Sequence, residues 1–142
     1  MVDWRLGGNR LKLNTEGMKP IYVQISQWLE TEILSGNIKE NEKIYSQYQL
    51  AEMFNINPAT AAKGLNILAG ENIVYKKRGL GMFVEENAKE SIMQKRKKQI
   101  LGPLIWELVM EAERLNVTED GLVNMIRTAK TQIKGEQRYE SD

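Results

Sequence analysis

The chain contains neither cysteine nor histidine. The first absence excludes disulfides, a thiolate nucleophile and sulfur-ligated metal. The second removes both the commonest general base and the commonest transition-metal ligand. Charge of one sign is lacking too: 20 basic residues stand against 19 acidic ones, a formal net charge of +1. Bulk attraction therefore names no partner. No apolar run approaches the roughly 20 residues needed to cross a bilayer, and the start carries no signal-peptide pattern. These features predict a protein of the cytoplasm with no membrane partner. No nucleophile sits beside a base and no cluster has metal-ligand spacing. Gly79-Leu80-Gly81 lacks the helix and the third glycine of a dinucleotide fingerprint. The expectation is a non-enzyme with no cofactor and no metal.

What is present has the profile of a folded domain. Hydrophobic residues make up 42% of the 142 positions and charged residues 27%. That balance fits a globular protein rather than a disordered one, long enough for one domain or a small domain with a helical appendix. Residues 1–19 hold Gly7-Gly8, scattered charge and no sustained period, and read as an N-terminal arm. From Pro20, Ile21, Ile25, Trp28, Leu29 and Ile33 recur at helical spacing until Gly36, a natural C-terminal stop. Ile44-Tyr45 is a short β-capable pair. Ser46 then stands as an N-cap before Leu50, Ala51 and Phe54, a second helix that Asn55-Ile56 closes. Asn57-Pro58 opens a third with an N-cap and a proline at the first helical position, and Ala61, Leu65 and Leu68 form its inner face. Ile73-Val74-Tyr75 and Met82-Phe83-Val84 flank a tip of Lys76-Lys77-Arg78-Gly79-Leu80-Gly81, which reads as a hairpin. Three helices and a hairpin in this order predict a winged helix-turn-helix over 20–86.

The remainder is helical and of different character. Ala88 to Gln99 is dominated by charge, including Lys95-Arg96-Lys97-Lys98. That cluster reads as a solvated helix face, with a second nucleic-acid contact as the alternative. Pro103 is expected to kink or restart the helix. Beyond it Leu104, Ile105, Leu108, Val109, Ala112 and Leu115 form a wide apolar stripe. Thr118 caps a last helix with Leu122, Ile126, Ala129 and Ile133 on one face, and a polar tail is expected over 136–142. The fold class is mainly α with a small β-hairpin: an N-terminal winged helix-turn-helix followed by a short C-terminal helical dimerisation segment, 87–135.

Pro20-Ile21-Tyr22-x-Gln24-Ile25, Ser46-x-x-x-Leu50-Ala51, Asn57-Pro58-x-Thr60 and Arg78-Gly79-x-Gly81-x-Phe83-Val84 follow one another in an order that resembles the GntR family of bacterial transcriptional regulators. The short helical remainder is similar to the YtrA-like subfamily, whose C-terminal helices form a dimer. The large effector-binding domains of the family's main branches do not fit there. The resemblance implies a double-stranded DNA operator as partner and a repressor of a transporter-type or neighbouring operon. This chain departs from the family pattern at Tyr48, where an arginine is usual, at Ala61 for valine, and at Gly64 for alanine. A phenol brings no positive charge at neutral pH, and a glycine inside a helix costs about 0.8–1 kcal/mol relative to alanine. A softer third helix and a different preferred operator are expected.

DNA recognition needs cations for phosphate and a narrow rigid element for the major groove. On the third helix Ala59, Ala62, Lys63 and Asn66 lie off the apolar face. Lys63 is the candidate reader of guanine O6 and N7, and Asn57 and Asn66 can meet base edges or phosphate. Small Ala59 and Ala62 allow close approach to a thymine methyl. Thr60 resembles the family's phosphate-contacting threonine, and the first-turn N–H groups are expected to face phosphate. Ser46 and Asn57 are helix caps first, a role compatible with a phosphate contact. Tyr48 either binds phosphate through its hydroxyl or packs on the surface. Lys76, Lys77 and Arg78 gather charge at the hairpin tip, where Gly79 lets the backbone near a minor groove. A solvated loop is the plainer reading of that tip, which the three preceding helices disfavour.

The apolar stripe either covers the core of its own subunit or pairs with a second copy. Two short helices have little of their own chain to bury against, so a two-fold dimer through Leu104, Ile105, Trp106, Leu108, Val109, Ala112, Leu115, Leu122 and Ile126 is expected, with Trp106 and Met110 as its anchors or, alternatively, as core residues. A crevice between these helices could admit an unidentified small-molecule effector. The competing reading of the whole chain is a winged-helix protein-interaction module that does not bind DNA specifically.

Overall fold

The computed structural model describes residues 19–141, with side chains to Arg138. The expected arm lies outside the described residues except for Lys19. The chain divides into two compact units, one ending at Lys95 and the other beginning at Arg96.

In the first unit, α1 (Ile21–Leu34) starts at Pro20, whose carbonyl accepts from the N–H groups of Val23 and Gln24 at 3.1 and 3.2 Å. It stops where Gly36 turns to φ +81°. Its period places Ile25, Trp28, Leu29 and Ile33 in the core. The second helix, α2 (Gln47–Phe54), is closed at its start by a capping box. The Ser46 hydroxyl accepts from Gln49 N–H at 3.1 Å, and the Gln49 side chain accepts from Ser46 N–H at 2.8 Å. Asn55, left-handed at φ 52°, ends it. Three residues later α3 (Pro58–Gly70) begins, burying Ala61, Leu65 and Leu68. Trp28 sits at the junction, its ring edge-on to Phe54 at 4.9 Å and stacked on Tyr45 at 6.0 Å. Each fully buried side chain of this size contributes about 1.5–3 kcal/mol over leaving it wet.

Gly64 is not a soft spot in α3. A Cβ there would lie 3.0 Å from the Tyr22 carbonyl oxygen and 3.1 Å from Ile25 Cγ2. The missing side chain lets α3 press onto α1, so tertiary packing offsets the propensity loss expected from sequence.

The hairpin is β1 (Val74–Lys77) and β2 (Gly81–Val84), antiparallel with Val74 opposite Val84 and Lys77 opposite Gly81. Its tip is therefore shorter than expected: Lys76 and Lys77 are strand residues, and only Arg78-Gly79-Leu80 turn. The β-capable stretch before α2 joins it. Lys43 bridges Phe83, Ile44 N–H donates to the Met82 carbonyl at 2.9 Å, and Val84 N–H donates to the Glu42 carbonyl at 2.9 Å.

The compact first unit runs on past residue 86, to Lys95. In α4 (Ala88–Arg96), Ala88 and Ile92 are fully buried in the same core as α1 and α3. Lys95 is also not part of a solvated face. Its ammonium lies 2.9 Å from the Glu30 carboxylate, which is 1% exposed, and it pairs with Glu71 as well. Burial strips water from the Lys95 ammonium, but Glu71 and Glu30 outweigh that loss and hold its pKa above the usual lysine value.

The second unit opens with a π-turn, Lys97–Leu101, before α5 (Gly102–Arg114). At Pro103, where a kink or restart is expected, a new α-helical segment starts: α5 begins at Gly102 with Pro103 in its first turn. Pro103 has no N–H to give, and the wider turn, with Gly102 N–H donating to the Lys97 carbonyl, accommodates it. The last helix, α6 (Glu119–Ser141), is capped by Thr118, whose hydroxyl accepts from Gly121 N–H at 3.1 Å. It runs through the stretch expected to be a polar tail, because Gly135 is followed by Glu136, Gln137 and Arg138, all good helix formers. No helix of the described residues is long and apolar enough to cross a membrane.

Candidate nucleic-acid interface

The outward side of α3 is open. Ala59, Lys63 and Asn66 are exposed, while Thr60 and Ala62 are half-buried beside them. The opposite side carries the core residues Ala61, Leu65 and Leu68. Lys63 has a rest position: its ammonium lies 5.5 Å from the centre of the Tyr22 ring on α1, a cation–π approach. From Met53 to Gly70 the sequence has no carboxylate, and neither has the hairpin from Ile73 to Val84. Between Lys19 and Lys95 basic and acidic residues number nine each. The near-zero balance thus hides a segregation, since Glu30 and Glu32 are buried and Glu71 is paired with Lys95.

The α3 N-terminus is less available to an anion than its sequence suggests. Pro58 has no N–H. The Asn57 side chain accepts from Ala59 N–H at 2.8 Å, and the Asn57 carbonyl accepts from Thr60 and Ala61 N–H at 3.0 and 3.2 Å. With the first turn's amide donors engaged by one residue, phosphate contact there falls to side chains such as Thr60. At α2 the capping box takes up Ser46 and Gln49. The amides of Gln47 and Tyr48 have no carbonyl partner among the described residues. Tyr48 is 69% exposed, which leaves its hydroxyl open to solvent.

Strand alternation separates the wing's cations. Val74, Val84 and Ile44 face the core, which puts Tyr75, Lys77, Gly81 and Phe83 on the outer face. Tyr75 and Phe83 stack at 6.0 Å, and the Lys77 ammonium lies 4.4 Å from the Phe83 ring centre and 5.8 Å from that of Tyr75. Lys76 belongs to the other face, so Lys76, Lys77 and Arg78 do not form one cluster. Gly79, at φ +78° with nothing within 4 Å of where a Cβ would stand, is the open point of the tip. The sequence reading passed over Tyr22, Tyr75 and Phe83 as cation supports. For the wing, the period-2 spacing of Tyr75 and Lys77 was the available signal.

The stripe on α5 is exposed almost throughout. Leu104, Ile105, Trp106, Leu108, Val109 and Leu115 all meet solvent, Trp106 to 71%. Ala112 is buried and Leu122 half-buried, while Met110 and Ile126 are exposed. Among the described residues α5 and α6 do not pack along one another. A concavity on α6 is lined by Thr131, Lys134, Gly135, Gln137 and Arg138.

Residues 21–84 match the family of bacterial regulatory proteins described as the gntR family. The HTH-type transcriptional repressor YtrA of Bacillus subtilis (strain 168) is 28% identical over 125 residues, 88% of this chain and 95% of that one. The HTH-type transcriptional repressor NagR of the same organism is 31% identical over 84 residues, 59% of this chain but only 35% of that one. A GntR family transcriptional regulator from Listeria monocytogenes has a solved structure that superposes with a TM-score of 0.68 at 26% identity, covering 80% of this chain and 97% of that one.

Proposed function

Since the chain belongs through residues 21–84 to the gntR family of bacterial regulatory proteins, and is a YtrA-like, DNA-binding transcriptional regulator, we propose that it acts as a homodimeric, sequence-specific repressor. The observation that carries this is the uncovered, carboxylate-free outward side of α3. Ala59, Ala62, Lys63 and Asn66 there are small or polar, suited to a major groove, and the wing with Lys76, Lys77, Arg78 and Gly79 reaches the adjoining backbone or minor groove. Ser46, Tyr48, Asn57 and Thr60 serve the phosphates. A protein-binding surface of the same size would be enriched in aromatic side chains, and none lies on this side of α3.

The first unit is the DNA-binding body, and α5 with α6 is the dimerisation segment. Two helices that leave Leu104, Ile105, Trp106, Leu108 and Val109 wet, without packing on each other, gain about 25 cal/mol for each Å² buried against a second copy. A two-fold pair sets its α3 helices against half-sites about one DNA turn, or a small multiple, apart. Repression by occluding a promoter is supported by the names of YtrA and NagR, and a transporter-type or neighbouring operon by the subfamily resemblance.

Fluorescence anisotropy of the full chain with the DNA upstream of its own gene is the test. Preference over a scrambled duplex, weakening steeply with salt, is the expected result. Equal, salt-insensitive binding to both duplexes would overturn the proposal.

A further inference from the structure

Lys43 was no part of the interface read from sequence, because it precedes α2 and lies far from the hairpin along the chain. Its backbone bridges Phe83, which makes residues 42–44 a third, short strand of the wing. Ile44 points into the core, so alternation turns Lys43 to the outer face, the face of Tyr75, Lys77 and Phe83. The side chain then runs across Gly81. A Cβ on Gly81 would lie 2.8 Å from Lys43 Cε and 3.5 Å from its ammonium nitrogen. The φ of +108° at Gly81 disfavours any side chain, and the Lys43 stem passes along its bare backbone.

The consequence is a pair of cations on one face. Lys77 stands opposite Gly81 in the register, held over the Phe83 ring, and Lys43 is laid over Gly81 from the other side. Lys43 is exposed, and no carboxylate forms an ion pair with it among the described residues. Lys76, the sequence neighbour that seemed the natural companion of Lys77, faces away. We propose that Lys43 and Lys77 together are the phosphate-binding element of the wing, which takes the sugar–phosphate backbone of duplex DNA on its outer face while the Arg78-Gly79-Leu80 tip enters the groove. This rests on the DNA-binding reading above and adds a residue to it. Because ammonium-to-phosphate contacts carry no sequence information, Lys43 contributes affinity and salt dependence but not base preference.

The experiment uses the full chain with Lys43→Met, which keeps the stem over Gly81 and removes only the charge, and Lys43→Arg, which restores a cation. Two labelled duplexes serve as probes: one recovered from a random-sequence pool by the wild-type chain, and a scrambled version of it. Affinity is measured across a salt series, and thermal melting is recorded for each variant. Lys43→Met is expected to weaken both duplexes by the same factor, about three- to tenfold. It should also flatten the slope of log affinity against log salt by about 0.9 for each bound chain. Lys43→Arg should restore the slope, and melting should stay unchanged. An unaltered slope with wild-type binding intact, or a lowered melting midpoint with no change in slope, would overturn the role of Lys43 and leave the DNA-binding reading standing. A wild-type chain with no salt-sensitive binding to either duplex would remove both.

Discussion

At the scale of single residues, two neighbours on α3 do opposite jobs. Lys63 is exposed, rests against Tyr22 and lies on the outward side of α3. Replacing it with alanine is expected to lower affinity for the selected operator by about tenfold or more and to spare scrambled DNA, in paired anisotropy titrations. Equal losses on both duplexes would reassign Lys63 to phosphate. Gly64 faces inward, and Gly64→Ala places a methyl 3.0 Å from a backbone oxygen of α1. The helix gains up to about 1 kcal/mol of propensity, but overpacking costs about 1–3 kcal/mol, so the melting midpoint should fall. A rise would mean that α1 yields easily. The caps at Ser46 and Asn57 were legible because small polar residues before apolar runs have a local cause. The close approach at Gly64 was not, since what makes it necessary comes from a helix some forty positions away.

Among the elements, α4 shows where local pattern ceases to inform. Its charge-rich sequence predicts a wet surface, yet Ala88 and Ile92 close the core of the first unit and Lys95 ties α1 to the end of α3 through Glu30 and Glu71. Two apolar residues one turn apart are too few to announce an inner face. The hairpin, by contrast, was readable down to its two strands, while the length of its turn was overestimated and the pairing of residues 42–44 with β2 was not legible. Lys95→Met, which takes the ammonium away from a carboxylate that is 1% exposed, should destabilise the fold by about 2–3 kcal/mol in chemical denaturation. The pH dependence follows from the raised pKa. The ion pairs contribute in full below the unfolded lysine value of 10.5, and that contribution is lost as pH climbs through the higher folded value. The stability gap between wild type and Lys95→Met should hold constant across neutral pH and narrow only above about pH 10.5. A gap that closes near neutrality would contradict this account.

For the whole molecule, the proposed dimer assigns the quaternary state to the exposed apolar faces of α5 and α6. Trp106 is 71% exposed, so Trp106→Asp leaves the subunit's own core untouched. Sedimentation should show the wild type at twice the chain mass and the variant near a single chain. Operator binding should weaken far more than one lost contact explains, because two half-sites no longer cooperate. An unchanged mass would place the partner surface elsewhere. The stripe itself was visible in the sequence. That the two helices leave it uncovered depends on their not folding back together, which no local pattern records. Because Asn57 engages the amide donors at the head of α3, the proposed contact of that helix with DNA is left to its outward side chains, of which Ala59, Lys63 and Asn66 are exposed. On that proposal Ala59 leaves room on the exposed side for a larger side chain, so its replacement should shift the preferred duplex sequence while the core of Ala61, Leu65 and Leu68 stays as it is.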